Sequence, residues 1–179
     1  MADSALSTIN DNFYLRKYGF NKPEINEVVS SDLGIVVVIP CHREKQLIQS
    51  LESLNACDKP NCSVEIIVVI NASENSAQAV LQKNEQTYRE ALAWSKNTNN
   101  ERLKFHFLVH NNLPKKHAGV GLARKIGMDE AVARFHSINH DGIIVCFDAD
   151  SVCEKNYLQA IEKHFEINKK STGSRSEST

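Results

Sequence analysis

Gly142-Ile143-Ile144-Val145-Cys146-Phe147-Asp148-Ala149-Asp150 is the stretch on which the fold turns. Its first six residues are a short, continuous, β-branched apolar run, the pattern of a strand buried on both faces of a parallel sheet. Two carboxylates close the run. In an open α/β sheet, the carboxyl ends of the strands form the mouth at which ligands bind. Alternation places Asp148 and Asp150 on the same side of the chain, one residue apart. Like charges at that spacing raise each other's cost of ionisation, and a divalent cation removes the cost. Hard oxygen ligands fit magnesium or manganese. A bare Asp-x-Asp is weak by itself; the strand in front gives it weight.

The same pattern recurs upstream. Ile35-Val36-Val37-Val38-Ile39 reads as a buried strand that Pro40 should stop. Leu47, Ile48, Leu51 and Leu54 then recur at helical spacing. Val64 to Ile70 is a second strand, and Asn71 to Ser76 is a turn rich in helix-capping residues. A long helix runs to about Lys96, with Val80, Leu81, Tyr88, Leu92 and Trp94 as its apolar contribution. Leu103 to Val109 alternates as a third strand. The next helix turns Ala123, Ile126, Gly127, Ala131, Phe135 and Ile138 inward. After the Asp148 strand, a last helix from about Glu154 turns Tyr157, Leu158, Ile161 and Phe165 inward.

This β-α alternation predicts an α/β fold: a Rossmann-like open parallel sheet of about four strands, right-handed crossovers, and helices on both faces. Residues 1–34 read as an N-terminal extension in which Phe13, Tyr14, Tyr18 and Phe20 mark a short helix or extended arm packed on the domain. The domain itself spans 35–167. The tail 168–179 has almost no apolar content and is expected to be disordered.

The 179 residues suffice for one domain with a real core, and 41% hydrophobic with 24% charged residues is ordinary for a soluble protein. A net charge of -1 leaves no electrostatic footprint for nucleic acid. No apolar stretch reaches the length of a membrane-spanning helix, and Met1-Ala2-Asp3-Ser4 lacks the start of a signal peptide, so a cytoplasmic location is expected. The five cysteines are odd in number and hold no Cys-x-x-Cys, which predicts neither a disulfide framework nor a zinc knuckle. Cys146 reads as a small buried hydrophobe. Cys41 lies at a strand-to-loop turn, where an inert role outweighs a nucleophilic one because nothing local lowers its pKa.

Four strand ends fall at one edge of the predicted sheet: Pro40-Cys41-His42-Arg43-Glu44, Asn71-Ala72-Ser73, Asn111-Asn112 and Asp148-Ala149-Asp150. Each has a plain alternative. His42 is also a common surface residue, Asn71 a common helix cap, and Glu44 a common partner of a helix amino terminus. Together they make a pocket of the kind that holds a nucleotide. The stretch from His117 to Gly127 opens a helix in which Gly119 and Gly121 permit close backbone approach, with Arg124 and Lys125 adding positive charge, a combination that favours phosphate. Arg124 stands where a dinucleotide fingerprint needs its third glycine. The competing reading is glycines at a tight packing contact.

The ordered set Ile35–Pro40, Glu65–Ser73, Gly121–Gly127 and Cys146–Asp150 resembles the nucleotide-sugar-binding half of a family 2 glycosyltransferase of the GT-A fold. The resemblance covers about residues 35–166. It implies strand order 3-2-1-4 and inverting transfer of a sugar from a nucleoside-diphosphate sugar to an acceptor hydroxyl, assisted by manganese or magnesium. By the same resemblance, Pro40, His42, Glu44, Asn71, Gly121, Arg124 and Asp148 hold the nucleotide sugar. His42 lies against the base, Asn71 in the nucleoside pocket, and Arg124 is the basic residue of the family's Ala-Arg motif. Asp148 and Asp150 hold the metal. The acceptor is a saccharide or another hydroxyl compound, and peripheral membrane association of the full-length protein is compatible with the resemblance.

Two departures from the family pattern stand out. Ile70 replaces a common acidic residue facing the base, and Lys125 replaces a common Asn. The family's acceptor half, with its catalytic carboxylate, should begin near residue 170. The chain therefore reads as the donor-binding part, cut short, with the base beyond residue 179 and no sugar transfer of its own. Two alternatives compete. One is a non-catalytic nucleotide-binding module. The other is a haloacid-dehalogenase-like phosphatase with Asp148 as nucleophile, against which the motif comes too late in the chain.

Overall fold

The computed structural model describes residues 12–98, 100–116 and 118–173, with side chains described to Ile167. Its elements, in order, are α1 (Phe13–Tyr18), β1 (Leu33–Cys41), α2 (Leu47–Asn55), β2 (Ser63–Ser73), α3 (Gln78–Ser95), β3 (Leu103–Leu113), α4 (Val120–Ser137), β4 (Ile143–Cys146) and α5 (Tyr157–Gly173). The four strands form one sheet in the order β3-β2-β1-β4. Every pairing is parallel. The expected topology is therefore present, and all four carboxyl ends lie at one edge.

The two central strands are apolar on both sides because both sides are covered. Ile35, Val37 and Ile39 of β1 and Val64, Ile66, Val68 and Ile70 of β2 pack with Leu47, Leu51 and Leu54 of α2, Ala91 of α3 and Leu158 of α5. The alternate residues Val36, Val38, Ile67 and Val69 pack with Ala123, Ile126, Ala131 and Phe135 of α4. Helix α4 approaches closely: a Cβ on Gly127 would stand 2.4 Å from Val38 Cγ1. That contact is the packing reason for a glycine in mid-helix.

Several expectations are corrected. Pro40 does not stop β1; it lies within the strand, in register with Val69. Phe147 N–H donates to Val38 O at 3.0 Å. Val38, and by alternation Pro40, thus turn their backbone groups toward β4. The missing proline N–H falls where the β4 ladder has already ended. Asn71 to Ser73 extend β2 rather than turning, with Ser73 paired to Leu113. Cys146 is exposed, not buried, because β4 pairs only with β1 and forms a sheet edge.

Leu92 is also exposed. The face that α3 turns inward is Asn84, Thr87, Ala91 and Ser95, a set at helical spacing that leaves Leu92 to one side. Phe165 is exposed as well. Among the described side chains it is the start of α5 that packs, with Leu158 fully buried and Tyr157 and Ile161 half-buried. The helix continues to Gly173, past the boundary expected at 167. The rest of the expected tail lies outside the described residues, as do residues 1–11, Asn99 and His117.

The N-terminal segment does pack on the domain, through polar contacts together with Ile25 and Val29 against the core and the Tyr14 ring under Lys125. Glu130 of α4 accepts from Glu24 N (2.9 Å) and Ile25 N (3.2 Å). Asp129 accepts from the Tyr14 hydroxyl (3.0 Å) and Phe20 N (2.9 Å). Beneath the segment lies a buried charge cluster. Arg134 of α4 donates to both oxygens of Glu65 on β2, Nη2 at 2.6 Å, and its Nη1 donates to Glu27 O at 3.2 Å. His106 of β3 stands 3.6 Å from Glu65.

Candidate active site

At the mouth of the sheet, one buried side chain joins three strands. Asn84, on α3, is fully buried. Its Nδ2 donates to Asn71 O at the end of β2 and to Asn111 Oδ1 near the end of β3, both at 3.0 Å. Its Oδ1 accepts from Arg43 N just beyond β1, at 3.2 Å. Arg43 itself has a positive φ of 55°, so this bond holds the loop in a conformation that non-glycine residues seldom adopt. Asn84 was not legible as a site residue: it sits mid-helix in a polar stretch, and only the tertiary fold aims it at the strand ends.

The residues expected at this edge take different parts. His42 is exposed, and its Nδ1 lies 2.8 Å from Asn71 O, so the His42 ring sits over the end of β2. Asn71 is buried, and its Oδ1 has no hydrogen-bond partner among the described residues. Pro40 is enclosed in the strand. Glu44 serves its own loop, accepting from Lys45 N (2.7 Å) and Gln46 N (3.0 Å) just before α2, which is the helix-start role named as its alternative. Cys41 is buried, and burial pushes its thiol up to about 12, in keeping with an inert role.

On the other side of β1, the ends of β4 and α4 meet. Asp148 and Asp150 are exposed, whereas Phe147 and Ala149 are buried; β4 ends at Cys146, so the two carboxylates lie beyond the strand, Asp150 in a turn. Ser50 of α2 fixes the backbone between them, its Oγ donating to Ala149 O at 2.7 Å. Arg124 Nη2 donates to Asp148 Oδ1 at 2.6 Å. The Arg-containing helix start and the Asp-x-Asp segment, read as separate motifs, are thus one ion pair in space.

Gly119 and Gly121 carry no left-handed φ, and a Cβ on either would meet nothing within 4 Å. The packing alternative therefore fails for these two, and the backbone at the start of α4 is open. Lys125 does not join Arg124. It faces the N-terminal segment, donating to Asp129 and to Tyr18 O (2.8 Å). One helical step of about 100° separates neighbours, so Arg124 and Lys125 serve different surfaces.

Asp148 and Asp150 offer oxygen donors of the type magnesium and manganese take. Among the described residues no cluster of three or more His, Cys, Asp or Glu side chains could hold a metal by itself. Two carboxylates by themselves leave the coordination shell of such a cation incomplete.

The model of Glycosyl transferase family 2 matches residues 36–177. The chain belongs to that family. No curated protein matches it. Among solved structures it is similar to S. aureus TarS 1-349, at 20% identity and TM-score 0.47, over 75% of this chain and 32% of that one. It is also similar to S. aureus TarS, at 21% identity and TM-score 0.47, over 75% of this chain and 20% of that one. TarS 1-349 in complex with UDP-GlcNAc matches at 20% identity and TM-score 0.45, over 75% and 31%. The chain thus spans about a third or less of the TarS chains it resembles.

Proposed function

We propose that this chain carries the donor-binding part of a metal-assisted, inverting glycosyltransferase, and that its ligand is a nucleoside-diphosphate sugar. The observation that carries the reading is the Arg124–Asp148 pair at the mouth of the sheet, with Asp150 exposed beside it. A guanidinium, an uncapped helix start with open backbone and two carboxylates converge there. The first two suit phosphate oxygens, and the last two suit a divalent cation. The structures of TarS 1-349 with UDP and with UDP-GlcNAc show what that relative binds.

In this reading the nucleoside lies on the β1–β2 side, against His42 and the Asn71 backbone that Asn84 holds. Arg124 orients the diphosphate. Asp148 and Asp150 would hold manganese or magnesium, which supplies charge neutralisation for the leaving diphosphate when bound. A carboxylate must also take the proton from the acceptor hydroxyl, and no residue of this chain is assigned that task. Among the described residues no helix is long and apolar enough to cross a membrane.

Calorimetric titration with UDP and GDP, each with and without manganese, tests the proposal. Binding should strengthen with manganese, and Asp150→Ala should remove that dependence. Arg124→Ala should weaken nucleoside-diphosphate binding about ten-fold or more, the usual loss for a charge-assisted bond to phosphate. An unchanged manganese response in Asp150→Ala would refute the assigned metal ligands. Incubating the bound donor with candidate acceptors separates a catalytic chain, which releases transferred product, from a binding module, which does not.

A further inference from the structure

The thiols of Cys57 and Cys153 lie 3.5 Å apart although 96 residues separate them in sequence. Cys57 follows Ala56, the C-cap of α2. Cys153 lies between β4 and α5, shortly after Asp150. The segment around it is tied to α2 and the loop after it by further bonds, among them Ser50 Oγ to Ala149 O, Cys153 N to Ser53 Oγ (3.2 Å), and Asp58 N to Lys155 O (2.8 Å). A disulfide has an S–S length of about 2.05 Å, so the sulfurs need to close by about 1.5 Å. The Cys153 side belongs to a segment without regular secondary structure, which can supply that movement.

We propose that Cys57 and Cys153 form a reversible disulfide site, closed by exchange with a small-molecule disulfide such as oxidised glutathione, which tethers the Asp148–Asp150 segment to α2. The order of events follows from exposure. Cys153 is half-exposed, whereas Cys57 is buried. Burial, with the neighbouring Cys153 thiol adding to it, pushes the Cys57 thiol up to about 12. Cys153, as thiolate, therefore attacks one sulfur of oxidised glutathione. The S–S bond breaks and one glutathione thiolate leaves. Cys57 then loses its proton to solvent and attacks Cys153 Sγ, expelling the second glutathione thiolate. Two protein thiols are oxidised and one glutathione disulfide is reduced to two thiols. The three remaining cysteines act as internal controls: Cys41 is buried, Cys62 is half-buried, and Cys146 is exposed at the sheet edge.

The experiment treats the native chain with oxidised glutathione, alkylates the remaining thiols, and maps peptides by mass spectrometry. The expected product is a Cys57–Cys153 cross-link, with glutathione retained on Cys146 and the cross-link reversed by dithiothreitol. In Cys57→Ser, Cys153 should instead keep its glutathione. Hydrogen exchange should slow several-fold in residues 148–156 of the oxidised chain. These readouts do not depend on donor binding, so they stand apart from the glycosyltransferase reading. Persistent glutathione on wild-type Cys153, cross-links to Cys146 in place of Cys57, no modification of either thiol, or unchanged exchange in the oxidised chain would each overturn the proposal.

Discussion

Removing the Asn84 amide would leave Arg43 N, Asn71 O and Asn111 Oδ1 each short of a bond at the buried mouth of the sheet. A buried polar group left without its partner costs about 1–3 kcal/mol. Asn84→Ala should therefore lower the unfolding free energy by about 2 kcal/mol or more, read from urea denaturation. It should also weaken nucleotide binding more than Glu44→Gln does, because Glu44 serves only its own loop. Gly127 makes the opposite kind of demand. With Val38 Cγ1 2.4 Å from where its Cβ would lie, Gly127→Ala should cost about 1–3 kcal/mol through overpacking. The packing contact at Gly127 was one of the two readings its stretch allowed, whereas the role of Asn84 does not show in its residue type. An asparagine in a helix is usually solvated, and a glycine in a helix is usually only a weak point.

Strand β2 carries a charge through the middle of the domain. Glu65 is buried against Arg134 and His106. Breaking such a pair from one side is costly: Arg134→Met alone should lose about 3–5 kcal/mol, and the double variant Glu65→Leu/Arg134→Met should recover most of it. Burial pushes the Glu65 carboxyl up, but the hydrogen bonds and charges of His106 and Arg134 outweigh it and hold the group below its ordinary 4.5. A carboxylate lowered in the folded state contributes stability that is full above its unfolded pKa and lost as pH falls through the folded value. Stability should therefore decline below pH 4.5, and Glu65→Gln should flatten that decline across a pH series of urea midpoints. Glu130 has the opposite sign. Burial raises it despite the bonds from Glu24 and Ile25, so its contribution is full below 4.5 and is lost as pH rises through its folded value.

Taken as a whole, the molecule is a sheet with its strand carboxyl ends at one edge and an N-terminal strap across one face. The strap runs from Tyr14 to Glu27 and is held by carboxylates and Arg134 of α4, with Tyr14 the aromatic side chain that joins them through its hydroxyl. Phe13, Tyr18 and Phe20 remain exposed. Glu130→Ala removes the acceptor for two strap amides. Trypsin should then cut at Arg16, Lys17 or Lys22 faster than in the wild type while the sheet stays protected, a local opening below the global unfolding free energy. Equal cleavage rates in variant and wild type would show that the strap is held elsewhere.

The chain's own pattern determined the architecture. Strands that are apolar on both faces, separated by amphipathic helices, have few arrangements open to them, and a parallel sheet covered on both sides is the one that buries them. The same pattern placed Asp148, His42 and Asn71 at one edge, because parallel strands end together. Tertiary structure alone decided which of those side chains meet. Arg124 pairs with Asp148 while its neighbour Lys125 turns to Asp129, since successive helical residues face different surroundings. Pro40 stays within a strand because its missing N–H falls beyond the β4 ladder. Glu65 survives in an apolar strand because Arg134, 69 residues away, is folded against it. Contacts between residues far apart in sequence depend on how elements pack, and local periodicity carries no record of that packing.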